Sequence, residues 1–178
     1  MCCGYNSYRI RANNQIIEME ETTGKSTEKT SHASHGKSIT AGYALSNRAK
    51  RTYRRRGFSN LLKMGHCAPS VMQTLQDLEN TKEIGLVRMT AGLPGGIANT
   101  GLECGGITSP LIHFGLKHGL SANDDGLPTV ITTGYDYCRR FIKCNNSLLC
   151  REILGDRRIP LPCIKVARHA PELYIQTS

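Results

Sequence analysis

Residues 86–119, LVRMTAGLPGGIANTGLECGGITSPLIHFGLKHG, set the frame for the rest of the chain. Leu93-Pro94-Gly95-Gly96 reads as a break, because proline fixes φ and glycine permits positive φ. Before it, Leu86, Val87 and Met89 predict a short buried helix. After it, the glycines from Gly101 to Gly106 place Cys104 in a tight turn. Ser109 and Pro110 predict a helix start, with serine as the cap and proline at the first helical position. The segment 111–118 is apolar on most sides and is expected to be a buried helix, with Gly119 as its stop. A cysteine at such a helix mouth is a candidate thiolate or metal ligand, since free N–H groups and the helix dipole favour an anion there. Packed as a small hydrophobe, the same cysteine would be inert.

Outward from this stretch, charge divides the chain. Residues 1–56 carry eleven Lys and Arg against four Glu, whereas residues 57–178 carry twelve against ten acids. The excess belongs to a basic, loosely structured N-terminal arm (1–56), and the folded part (57–178) is nearly neutral. Glu20 to Thr40 is Ser, Thr, Lys and His with almost nothing apolar, too little to offset the entropy of ordering. His32 and His35 in that segment are at most a weak metal site. Eight cysteines is a high count, but their spacing is not that of a small secreted disulfide scaffold. No signal-peptide core and no run of eighteen apolar residues is present, so the expectation is a cytoplasmic chain without a membrane span.

Arg48, Lys50, Arg51, Arg54, Arg55 and Arg56 pack six basic residues into nine. They read as the solvated face of a helix beginning near Ser46, or as a contact for nucleic acid or an acidic partner. Arg55-Arg56-Gly57-Phe58 also has the form of a twin-arginine signal. That reading fails because Lys63, His66, Pro69 and Gln73 interrupt the apolar region it needs.

From Gly57 the pattern is helical, with Phe58, Leu61 and Leu62 able to share a face. A second helix carries Val71, Met72, Leu75 and Leu78, with Pro69 near its start and Cys67 just outside it. His66 beside Cys67 is a possible second ligand or a surface histidine. Ser121 to Pro128 reads as a loop, and Thr129 to Thr133 as a strand or a lead into a helix. Tyr135 to Leu154 is helical in character, with Asn145 and Asn146 as its break. Cys150 then opens a second short helix that Gly155 ends. Cys138, Cys144 and Cys150 recur every six residues, an interval that turns 240° net around a helix, so they do not converge on one site.

Cys67, Cys104, Cys150 and Cys163 thus each lie near a predicted helix N-terminus. Four thiolates so placed could share one site, with the helix ends offsetting the charge of a cysteine-bound cluster. There is no Cys-x-x-Cys, so no zinc ribbon or ferredoxin run is readable, and no Cys-x-x-Cys-His for covalent c-type haem.

The matching pieces are His66-Cys67-Ala68, LVRMTAGLPGGI, the box at Cys104, CREILG with Cys150, and CIKVARHAPEL with Cys163. In these the chain resembles, over about residues 57–175, the redox-active protein family with four dispersed cysteines and a Cys-Gly-Ala-x-x-Gly box. A related domain carries the iron–sulfur cluster of split-Soret cytochromes. Here the box reads CGGITS, with Gly106 for Ala and Ser109 for Gly. The resemblance implies a helical domain with a four-cysteine redox or iron–sulfur site.

The expectation is therefore an all-α, single helical domain acting in electron transfer. Cys67, Cys104, Cys150 and Cys163 are the expected ligands of an iron–sulfur cluster, and a [2Fe–2S] cluster would fit four dispersed ligands. Cys2, Cys3, Cys138 and Cys144 stand outside that set. A redox partner protein is expected, and homodimerisation is implied by the cytochrome relative alone. Two other readings compete. One is a metal-free thiol/disulfide enzyme using Cys67 or Cys104 as nucleophile. The other is a zinc-stabilised domain that binds nucleic acid through its basic arm.

Overall fold

The computed structural model describes residues 46–119, 126–155 and 161–178, together with the backbone of residues 11–12 and 15–16. The chain divides into one unit at residues 1–41 and another at residues 42–178. In the first, β1 (Arg11–Ala12) and β2 (Gln15–Ile16) pair antiparallel. The second is all-α. Its helices are α1 (Asn47–Met64), α2 (Cys67–Glu79), α3 (Ile84–Met89), α4 (Gly105–His118), α5 (Leu127–Asn145), α6 (Cys150–Leu154) and α7 (Leu161–Ile175), with one 3-10 turn at Thr90–Gly92. No described helix is long and apolar enough to cross a membrane.

Local chemistry explains most of the boundaries. Ser46 caps α1, its hydroxyl accepting from the Ala49 N–H at 3.2 Å. The basic run 48–56 is therefore helical, as the sequence suggests. Asn146 at positive φ ends α5, and Gly155 ends α6, also as read. Pro69, Pro128 and Pro162 sit in the first turns of α2, α5 and α7, where a missing N–H costs nothing.

Two prolines lie inside helices, and each leaves a carbonyl without its helical donor. Pro110 frees the Gly106 carbonyl, which accepts instead from the Tyr137 hydroxyl at 2.6 Å. Pro171 frees the Ala167 carbonyl, and Gly57 of α1 lies against it. A Cβ at residue 57 would stand 2.1 Å from that oxygen, so only glycine lets α1 and α7 approach this closely.

These facts correct several expectations. α4 starts at Gly105, with Cys104 at its N-cap, rather than at Ser109 and Pro110. The buried Ser109 hydroxyl donates to Ala68 of α2 at 2.9 Å instead of capping a helix. Thr129–Thr133 belongs to α5, as do Leu127 and Pro128. In α3 only Leu86 is buried and Met89 is exposed. Leu116 of α4 is also exposed. In α1 the buried residues are Gly57 and Asn60, while Phe58 and Leu62 face outward. The reason is that α1 packs by close backbone approach to α7 and by hydrogen bonds to α2. Asn60 donates to Thr74 and Asp77, both at 3.0 Å. Residues Glu20 to Thr40, with His32 and His35, and Cys2 and Cys3 lie outside the described residues.

The core fills the space between α2, α4, α5 and α7. Phe114 stacks on Tyr174 at 4.5 Å between ring centroids and meets Tyr137 edge-on at 5.9 Å. Val71, Leu75, Phe141 and Val166 close around them. Gly106 explains one departure in the cysteine box: an alanine Cβ there would lie 2.3 Å from Val166 Cγ1 and press on Phe141.

Candidate functional site

Each of the four cysteines singled out above opens a helix. Cys67 is the first residue of α2, Cys104 the N-cap of α4, Cys150 the first residue of α6, and Cys163 lies in the first turn of α7. The first three are buried and Cys163 is half-buried, and all four are free thiols.

Backbone pairing brings Cys104 and Cys150 side by side. The segments leading into α4 and α6 run antiparallel, joined by a bridge between Glu103 and Leu149. The Cys104 N–H donates to Leu148 at 2.8 Å, the Cys150 N–H to Leu102 at 2.6 Å, and the Arg151 N–H to Gly101 at 3.0 Å. Gly96, at φ 77°, lies under this pair. A Cβ there would meet Cys150 Cβ at 2.7 Å and the Leu102 carbonyl at 2.5 Å. Gly105 does the same for Cys67, whose Sγ would stand 2.8 Å from an added Cβ. Glycine at 96 and 105 thus keeps the space beside Cys150 and Cys67 free of a side chain.

The thiols influence one another. Burial pushes Cys104 up to about 12; the Gly106 N–H works against this, and Cys67, Cys150 and Cys163 add to it. Burial pushes Cys163 up to about 11, with Cys67 and Cys150 raising it further. Cys150 is raised by burial and then by Cys67. Every pairing among the four is thus close enough for the charge of one to disfavour ionisation of another. Cys138 and Cys144 stand apart on α5. Cys144 is exposed, and Cys138 packs against the aromatic core, its thiol raised by burial alone. His66 is exposed and makes no side-chain cap to α2.

Cys104, Cys150 and Cys163 are all held above the ordinary thiol range by burial and by neighbouring thiols. Their joint ionisation needs a positive charge placed among them, and metal-bound thiolates are the common case. Among the described residues, no three His, Cys, Asp or Glu side chains stand close enough to hold a metal ion. A [2Fe–2S] cluster takes only two cysteines on each iron, so its four ligands span more space than the ligands of one ion. The donor set, four thiols at four helix N-termini, fits such a cluster in chemistry.

A family model described as "Putative redox-active protein (C_GCAxxG_C_C)" matches residues 65–176, which include all four cysteines. The chain belongs to this family. The match supports a redox role. The description writes the box with glycine ahead of the cysteine; in this chain Glu103 precedes Cys104 and the glycine follows it. No curated protein and no solved structure shows a significant match.

Two contributors to the site escaped the sequence reading. Tyr137 fixes the start of α4 through the Gly106 carbonyl. Its signal was Pro110, whose helical neighbour four residues back needs a new donor. The pairing of residues 101–103 with 148–151 has no local signal at all.

Proposed function

We propose that Cys67, Cys104, Cys150 and Cys163 bind an iron–sulfur cluster and that the protein acts in electron transfer in the cytoplasm. The observation that carries this reading is the convergence of four thiols, each at a helix N-terminus, with every pair in electrostatic reach. Soft thiolates suit iron–sulfur centres. When bound, the cluster supplies one-electron chemistry. The chain's part is to hold four thiolates at helix N-termini, to keep water from Cys67, Cys104 and Cys150, and to leave Cys163 nearest solvent. The Gly106 N–H at the Cys104 sulfur favours its anionic state and would raise the potential at which an electron is taken up.

With Cys104 as nucleophile the thiol/disulfide reading fits less well, because a nucleophilic cysteine needs a lowered pKa and burial pushes this thiol up to about 12. Purification without oxygen, followed by visible absorption and analysis of iron, zinc and acid-labile sulfide, tests the proposal. Sulfur-to-iron charge-transfer bands with bound iron and sulfide are expected. Colourless protein with zinc, or metal-free protein with reactive thiols, would each overturn it.

A further inference from the structure

α1 carries Arg48, Lys50, Arg51, Arg54, Arg55, Arg56 and Lys63 and not one acidic residue. Two of these cations hold the fold. Arg54 pairs with Glu172 of α7 at 2.8 Å, and Arg56 with Asp77 of α2 at 3.4 Å. Arg48, Arg51, Arg55 and Lys63 are exposed and make no ion pair with any described residue. Arg51 and Arg55 stand four apart on the helix, a like-charge spacing that weakens an isolated helix. Against an anionic surface the same pattern becomes favourable. Beside it lies a cleft of about 450 Å³ between α1 and α2, lined by Arg55, Ser59, Lys63 and Asp77 among others. Asp77 adds little negative character there, since Arg56 pairs with it and Asn60 and Gln73 donate to it.

The place of this helix matters as much as its charge. Gly57 against Ala167 and Arg54 on Glu172 fix α1 antiparallel to α7. That register carries the last turn of α1 to the level of Cys163. Cys67 opens α2 three residues after Met64 ends α1. The basic helix therefore ends beside two of the four cysteines.

We propose that the exposed basic face of α1 docks an acidic one-electron carrier protein and so brings the carrier's cofactor beside the four-cysteine pocket. The inference rests on the redox reading above and names the surface that reading lacks. In the step it serves, one electron passes from the reduced carrier to the four-cysteine centre. The carrier is oxidised by one electron, the centre is reduced by one, and no bond is made or broken. Nucleic acid is the other polyanion this face could meet. It would draw no benefit from the neighbouring thiols, and aromatic platforms for base stacking are sparse on α1.

The test uses the full chain, with flavodoxin as the acidic carrier and a DNA duplex of about 30 base pairs as the rival. Binding is followed by thermophoresis in about 50 mM salt, where such contacts are weakly screened. Wild type should bind flavodoxin, and R51E/R55E/K63E should bind it at least about tenfold more weakly. The neutral R51Q/R55Q/K63Q should fall between them and stands in if the reversed variant does not melt cooperatively. Equal binding by wild type and the Gln variant, or no binding of flavodoxin by wild type, overturns the proposal. Tighter binding of the duplex than of flavodoxin at about 150 mM salt overturns it in favour of nucleic acid. Binding does not require iron. An iron-free chain that still binds through α1 would sink the cluster alone, and an iron-loaded chain that fails to bind would sink the docking face alone.

Discussion

The two ends of α4 are packed by opposite means. At its start, Gly105 and Gly106 leave no room for a side chain: an added Cβ at Gly105 would stand 2.8 Å from the Ala68 backbone nitrogen and from Cys67 Sγ. Farther along, large side chains fill the space, and His113, Tyr174, Glu79 and Lys117 form a polar network. Phe114 lies between Tyr137 and Tyr174, and His113 Nδ1 meets the Tyr174 hydroxyl at 2.8 Å. That hydroxyl also reaches Glu79 at 3.2 Å, and Lys117 closes on the same carboxylate at 3.4 Å. Within this network His113 Nε2 makes no hydrogen bond and lies 3.8 Å from Glu79. The aromatic end holds the fold by filling volume. The cysteine end gives up that packing, and what it gains is the Gly106 N–H at the Cys104 sulfur and two thiols, Cys67 and Cys104, at helix starts.

The largest effect expected from this contrast concerns two glycines of one helix. Gly105→Ala should destabilise the protein by about 1–3 kcal/mol, because a backbone atom of α2 must move aside. Gly115→Ala should stabilise it by roughly 0.5–1 kcal/mol, since nothing lies within 4 Å of the new methyl and glycine is a poor helix former. Urea unfolding midpoints report both. Changes of the same sign at the two positions would break the contrast.

A smaller effect is expected with pH at the aromatic end. Burial holds His113 below its ordinary 6.5, outweighing the pull of Glu79; Lys117 adds to the lowering and Glu83 opposes it. The unfolded chain then binds a proton near pH 6.5 that the folded chain refuses. Stability from this group is complete above pH 6.5 and is lost as pH falls through the lowered value. His169, also lowered by burial, acts in the same direction. The melting temperature should therefore drop between about pH 7.5 and about pH 5.5, and less steeply in His113→Gln. An equal drop in that variant would remove His113 from the account.

How far the sequence could be read follows the same division. Signals confined to one turn were legible. Ser46 starts α1, Asn145 and Asn146 end α5, Gly155 ends α6, and four cysteines stand at helix starts. Signals completed by a distant residue were not. Pro110 has the local look of a first helical residue, and the hydroxyl that lets it sit inside α4 comes from Tyr137, 31 positions from Gly106. Phe58 and Leu62 look like a core face because period alone cannot show that α1 packs through Gly57 and Asn60. The meeting of Cys104 with Cys150 depends on a two-strand contact between loops, which no local pattern encodes.

The smallest effect belongs to the remaining described cysteines. Cys144→Ser should change stability by less than about 0.5 kcal/mol, as for an ordinary exposed position. Cys138→Ser should cost somewhat more, because that thiol packs against the core. Both should leave metal content at the wild-type level. Loss of metal in either would place a ligand on α5 and redraw the site.

The account's central claim is that Cys67, Cys104, Cys150 and Cys163 act as one metal-binding unit, and a site absent from the unfolded chain couples metal to folding. Iron per chain and melting temperature, measured together on four single Cys→Ala variants purified without oxygen, test it most directly. Each variant should lose iron and melt at a lower temperature than wild type. If the thiols were only buried packing groups, alanine would cost a modest cavity term and leave metal untouched. Full iron retention in two or more of the four variants would contradict the claim.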